Sequence, residues 1–180
     1  MVNKILFIEG SRDRTNGILA QGFHKLIFQE CKGNMPRIVM SDDKNNAIAK
    51  FLNNRLSEYA FILIDLDKPA CDKNNDLIEN CLISFSSFVF YMIQEMEAWF
   101  LSQPDVLNGF YGIDFRKKLK LKHPMDIPNP DEFLQKLTKN TKRGEYHKIS
   151  HGTELLSRLK SSQLRIDFDD YNNLIEAIIR

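Results

Sequence analysis

Four short apolar runs separated by segments of helical periodicity constrain this chain more than any other feature. Ile5-Leu6-Phe7-Ile8, Arg37-Ile38-Val39-Met40, Ala60-Phe61-Ile62-Leu63-Ile64 and Phe88-Val89-Phe90-Tyr91-Met92-Ile93 read as strands, the unbroken ones as strands covered on both faces. Between the first two, residues 16–31 place Ile18, Leu19, Phe23, Leu26 and Ile27 at three- and four-residue steps, and Gly33 and Pro36 close that helix. Ser41-Asp42-Asp43 is expected to cap a second helix carrying Ile48, Phe51, Leu52 and Leu56. Residues 68–79 read as a loop ending in a short helix. Strands alternating with helices predict an α/β fold with a mostly parallel sheet of about four strands, Rossmann-like in outline. Beyond residue 102 the strand signal stops, and helices are expected near 131–139, 151–160 and 169–179. The expected organisation is an α/β core over residues 1–102 and a basic helical C-terminal extension, 103–180, packed on it as one compact unit.

Three of the four runs lead into carboxylates: Glu9-Gly10, Asp65-Leu66-Asp67 and Glu95-Met96-Glu97. Ligands bind at the carboxyl edge of an open α/β sheet, and neighbouring strands lie about 4.8 Å apart, so these groups can converge. Ionised carboxylates crowded together repel, and a divalent cation relieves the repulsion; hard oxygen donors select Mg²⁺ or Mn²⁺. On an extended backbone Asp65 and Asp67 point the same way. Glu95 and Glu97 share a face only if the strand runs through them; if a helix begins at Gln94 they diverge. Gly10 allows a tight turn and close approach of backbone to a ligand. Neither G-x-G-x-x-G nor G-x-x-x-x-G-K-[ST] occurs, which argues against a dinucleotide or P-loop site.

Charge is distributed unevenly. Residues 114–165 carry 13 basic and 6 acidic side chains, against 11 and 14 in residues 1–113 and 1 and 4 in residues 166–180. A basic block beside an acidic one suits a phosphate-rich ligand next to a cation site, although Arg116, Lys117, Lys118, Lys120 and Lys122 also suit a solvated face. The longest apolar run, residues 88–93, is far below the about 20 residues that cross a bilayer, and the first residues are too short for a signal sequence. Cys31, Cys71 and Cys81 are odd in number and form no C-x-x-C. A soluble, reduced, cytoplasmic protein with no membrane partner is expected.

Strand–Glu9-Gly10-x-x-Asp13, strand–Asp65-x-Asp67 and strand–Glu95-x-Glu97, in this order, resemble a TOPRIM domain, the metal-binding catalytic fold of topoisomerases, primases and OLD-family nucleases. Gln94-Glu95-Met96-Glu97-Ala98-Trp99-Phe100-Leu101, with Asn129-Pro130-Asp131-Glu132 and Tyr146-x-Lys148-x-x-His151-Gly152, resembles the bacterial "domain of unknown function 4276" family, from Glu9 to about Phe168. The resemblance implies Glu9 as general acid/base or metal ligand, Asp65 and Asp67 as ligands, Glu95 or Glu97 completing the shell, and Asp13 supporting a second metal. It also implies a role beside ATPases in phage-defence or mobile loci. Lys68-Pro69 follows the Asp-x-Asp where topoisomerases often carry Gly, and the chain is too short for a second, tyrosine-bearing domain. Nuclease or related phosphodiester chemistry on nucleic acid is therefore expected. The rival expectation is a non-catalytic effector subunit docked on a partner ATPase.

In the basic segment, Lys148 is read as a catalytic point charge. Tyr146 and His151, with Gly10, are read as substrate-binding, since a lysine, a hydroxyl and a helix start suit a phosphodiester. Docking of the C-terminal segment on the core would use the same side chains. Trp99, Phe100 and Leu101 are expected in the core.

Overall fold

The computed structural model describes residues 4–10, 18–54, 59–119 and 123–180; Asp13, Leu56, Lys120 and Lys122 lie outside them. At its centre is a parallel four-stranded sheet in the order β2-β1-β3-β4, built from β1 (Lys4–Ile8), β2 (Arg37–Met40), β3 (Tyr59–Asp65) and β4 (Val89–Met92). The α/β class read from the sequence is the observed one. The fourth strand is shorter than its apolar run, because Phe88 closes a 3-10 turn over Ile83–Phe88.

Alternation along the strands divides the core. Ile5, Phe7, Ile62, Ile64 and Tyr91 face one side, where they meet α2 (Lys44–Asn54) and Leu77 of α3 (Lys73–Glu79). Leu6, Ile8, Phe61, Leu63, Phe90 and Met92 face the other, packing on α1 (Ile18–Cys31) and on helices from the second half of the chain. These are α4 (Glu97–Ser102), α5 (Pro104–Tyr111), α6 (Arg116–Leu119), α7 (Pro130–Thr138), α8 (Ser150–Arg158), α9 (Ser161–Asp167) and α10 (Asp169–Ile179). One apolar cluster runs from the sheet through Trp99, Phe100, Phe115, Leu155 and Tyr171, so the C-terminal helices form the second cover of the sheet. With apolar neighbours above and below, β1 and β3 have no solvated face, and this is why their sequences do not alternate. No element expected from periodicity corresponds to α9, which buries only Ser161 and Leu164 and leaves Ile166 exposed.

Helix starts follow local chemistry. Asp43 Oδ1 accepts the Asn46 N–H (2.9 Å) at the head of α2. The N–H of Tyr91 on the edge strand β4 is received by Asp170 (3.2 Å), which also holds Lys73 (2.9 Å), so α10 covers an edge that would otherwise be open to pairing.

The tightest helix contact lies between α1 and α8. A Cβ on Gly22 would stand 2.9 Å from both Leu156 Cβ and the Thr153 carbonyl oxygen, whereas one on Gly109 of α5 would meet nothing. Gly22→Ala is expected to destabilise the protein by about 1–3 kcal/mol through overpacking, and Gly109→Ala to stabilise it by about 0.5–1 kcal/mol through helix propensity. Urea unfolding of the two variants measures both signs.

Candidate functional site

The chain places β2 on one side of β1 and then β3 on the other, so the strand order reverses at the β1–β3 junction. In open α/β sheets a crevice opens outside the carboxyl ends of the strands at such a point. Glu9 follows β1 and Asp65 ends β3, and the Asp65 N–H donates to Glu9 Oε2 (3.0 Å) across the junction. Glu9 is kept in register by its own N–H, which donates to the Leu63 carbonyl (3.0 Å).

Beyond these strand ends the backbone leaves the extended conformation. Asp67 and Gln94 both take left-handed φ values, 56° and 63°, and lock the ends of β3 and β4 together: Asp67 N–H donates to the Gln94 carbonyl (2.7 Å) and Gln94 N–H to that of Lys68 (3.3 Å). Left-handed backbone at a glutamine is uncommon and is held here by its surroundings. The turn corrects the expectation that Asp65 and Asp67 share a strand face. Asp65 is buried and Asp67 is exposed, because alternation stops at the end of β3.

Glu95 and Glu97 also part company, since β4 ends at Met92 and α4 begins at Glu97. Glu95 Oε2 turns toward the start of α7 and accepts the Asp131 N–H (2.9 Å). Glu97 is fully buried; its Oε1 accepts the hydroxyl of Tyr146 (2.7 Å), and its Oε2 lies 3.9 Å from Lys148 Nζ without a hydrogen bond. The same ammonium is 3.5 Å from Asp65 Oδ2, while Asp65 Oδ1 accepts the Met96 N–H (3.0 Å). Lys148 thus stands between the two buried acids and reaches solvent on its far side.

Two residues given no role in the sequence analysis belong to this cluster. Asp131 is held by Gln135 Nε2 (2.9 Å) at Oδ2, and its Oδ1 is buried without a partner. Lys44 donates to the Asp65 carbonyl (3.1 Å) and to Asp76 Oδ1 (2.7 Å), with Tyr91 OH on the other oxygen of Asp76 (2.8 Å). Both sit in the first turn of a helix, and an acid in that position has an ordinary structural explanation.

Tyr146 is buried, so its hydroxyl acts on Glu97 and not on solvent. The ring of His151 lies among Phe110, Tyr111 and Tyr146, with Nδ1 at 3.1 Å from Tyr111 OH and accepting the His147 N–H (3.2 Å). Burial, with His147 and Arg143 nearby, keeps that imidazole below its ordinary pKa. A Cβ on Gly10 (φ 146°) would stand 2.9 Å from Met40 Cε; here the close approach is to the protein's own side chain.

The acids outnumber the cations around them. Burial raises Glu9 to about 7, and Asp65 and Asp67 add to the shift. Asp65 rises to about 6 because it is buried and faces Asp67 and Glu95, against the pull of Lys148. Glu97 rises to about 7 by burial, with Lys148 opposing and Asp65 adding. Glu95 is raised for the same first reason. Burial works against the charge of Lys148, but Asp65, Glu97 and Glu95 outweigh it, so the amine is held protonated more firmly than a free lysine. Among the described residues no three His, Cys, Asp or Glu side chains are drawn together as a ready-made metal cage. Oxygen donors of this kind could hold a hard cation, and among the described residues Glu97 Oε2 and Asp131 Oδ1 are buried without a hydrogen-bond partner.

Residues 8–179 match the family described as Domain of unknown function (DUF4276), and the chain belongs to that family. No curated protein and no solved structure matches the chain. Among the described residues no helix is long and apolar enough to cross a membrane.

The raised acids set the direction of the pH dependence. Glu9, Asp65 and Glu97 hold protons in the folded state that the unfolded chain gives up above about pH 4.5. Their contribution is therefore complete at acid pH and is lost as pH rises through about 6 to 7. In chelator-treated protein the urea midpoint is expected to fall between pH 5.5 and 8. Glu97→Gln keeps an acceptor for Tyr146 and removes one of these ionisations, so it should flatten the fall and be more stable than wild type at pH 8 by about 1–2 kcal/mol. A midpoint that climbs from pH 5.5 to 8 contradicts this.

Proposed function

We propose that this chain is a Mg²⁺- or Mn²⁺-dependent phosphodiester hydrolase of TOPRIM-like chemistry, a nuclease acting at the carboxyl edge of its sheet. The observation that supports the reading is the pair of buried carboxylate oxygens, Glu97 Oε2 and Asp131 Oδ1, that accept no hydrogen bond among the described residues, within a group of acids whose pKa values burial raises and neighbouring acids raise further. Asp65 and Glu97 would hold the ion, with Glu95, Asp131 and Asp67 around them. A divalent ion supplies Lewis acidity toward a water nucleophile and a phosphoryl oxygen.

The remaining chemistry falls to the chain's own groups. Glu9, with a carboxyl near 7, takes or returns a proton at neutral pH, the property needed of a general base or acid at a phosphate centre. Lys148 stays charged and reaches solvent, so it acts as a fixed positive charge for a phosphate oxygen and not as a base. Tyr146 positions Glu97, and Asp131 closes the far side of Glu95. The phage-defence setting implied by the family resemblance belongs to the same proposal.

Calorimetric titration with Mn²⁺ tests the ion site, and cleavage of plasmid and RNA in Mn²⁺ tests the chemistry. Wild type is expected to bind saturably, Asp65→Asn/Glu97→Gln to lose that binding, and Glu9→Gln to bind but cleave about 10²–10⁴-fold more slowly. Equal Mn²⁺ binding by wild type and the double variant overturns the site. A wild type that binds Mn²⁺, cleaves nothing and copurifies with an ATPase would establish the docking-subunit alternative in place of the enzyme.

A further inference from the structure

A groove of about 1740 Å³ runs along the opposite edge of the sheet, where the strands begin. Its walls come from Lys4 and Arg37 at the starts of β1 and β2, Tyr59 at the start of β3, Phe88 just before β4, one side of α1 and the end of α10. Its outer end, at Lys4, lies about 16 Å along β1 from Glu9, five residues at about 3.3 Å each, at the opposite edge from the carboxylate cluster.

Two features of this lining stand together. Lys4, Lys25 and Arg37 contribute positive charge, with Arg180 paired to Glu176 at the rim, and among the described residues no Asp or Glu lines the groove. Lys4 is engaged with the Ile178 carbonyl at the end of α10 and so offsets the negative pole of that helix. Lys25 and Arg37 are exposed and, among the described residues, make no ion pair. Two aromatic rings stand beside them: Tyr59 is 55% exposed, and Phe88 is 40% exposed, with its ring also in contact with Phe61 at 6.1 Å. Exposed rings beside exposed cations are suited to stacking on bases. The volume exceeds the about 300–1,000 Å³ of small-molecule sites, so the space fits a chain of repeating units better than one metabolite.

We propose that this groove binds single-stranded nucleic acid, with Lys25 and Arg37 on the backbone phosphates and Tyr59 and Phe88 stacking on bases. An acidic protein segment would satisfy the cations but leave both rings without planar partners. The site is separate from the catalytic edge and holds whether or not that edge cleaves anything. If both operate, the groove anchors a strand whose other part reaches the carboxylates.

The test is fluorescence anisotropy of the full chain with a labelled single-stranded oligonucleotide of about 12 residues, in EDTA so that no ion bridges the acids. Wild type is expected to bind the oligonucleotide and to prefer it over an abasic strand of equal length. Lys25→Ala/Arg37→Ala should weaken binding at least about tenfold and reduce the slope of log K against log salt by about 1.4, two phosphate contacts at about 0.7 each. Tyr59→Leu/Phe88→Leu should abolish the preference for the base-bearing strand. Hydrogen exchange on wild type needs no substitution: the oligonucleotide should protect residues 20–25 and 33–38. Failure of wild type to bind, unchanged affinity in the lysine–arginine variant, or protection confined to the strand carboxyl ends overturns the proposal. So does equal binding of the abasic strand or of polyglutamate, which would point to an anionic protein partner instead.

Discussion

Lys148 brings one ammonium to 3.5 Å from Asp65 and 3.9 Å from Glu97, joining parts of the chain 83 residues apart. Both acids are buried, and neither has a second cation at that distance among the described residues. Removing an ionised carboxylate from water is costly unless charge and hydrogen bonds replace the lost hydration. One lysine is shared between two such groups, and Glu9 and Glu95 stand close enough to add to the repulsion. The edge of the sheet therefore buries more carboxylate than its cations offset, and burial with this mutual repulsion raises these acids.

The C-terminal helices, packed on the sheet by the apolar cluster, also carry side chains to this edge. Tyr146 and Lys148 lie in the segment that leads into α8, and α8 packs on α1 at Gly22 so closely that a methyl group does not fit. α7 delivers Asp131 to Glu95, and α10 delivers Asp170 to the open edge of β4. The left-handed turns at Asp67 and Gln94 hold the strand ends against each other, so the acids cannot relax apart by fraying.

The strands were legible because burial on both faces demands continuous apolar runs, and the site was legible where acids directly follow such runs. Glu9, Asp65, Glu95 and Glu97 all come to the carboxyl edge by this logic. Side-chain direction was not legible, because the turns at Asp67 and Gln94 depend on pairing between β3 and β4 that no local pattern encodes. The roles of Asp131, visible in a motif, and of Lys44 were hidden for a different reason: at a helix start an acid is explained by the helix dipole, and a lysine there carries no signal. Tyr146 and His151 were visible as a motif, but only packing distinguishes a hydroxyl buried on Glu97 from a ring set among Phe110 and Tyr111.

The crowding of these buried acids is measured most directly by carboxyl-carbon NMR titration of protein labelled in Asp and Glu, with and without Mg²⁺. In metal-free protein, carboxyl groups assigned to Glu9, Asp65 and Glu97 are expected to titrate near 7, 6 and 7, and Mg²⁺ should move at least two of them down by more than about one unit. Ordinary values near 4 for all three, or raised values that Mg²⁺ leaves in place, would contradict the account.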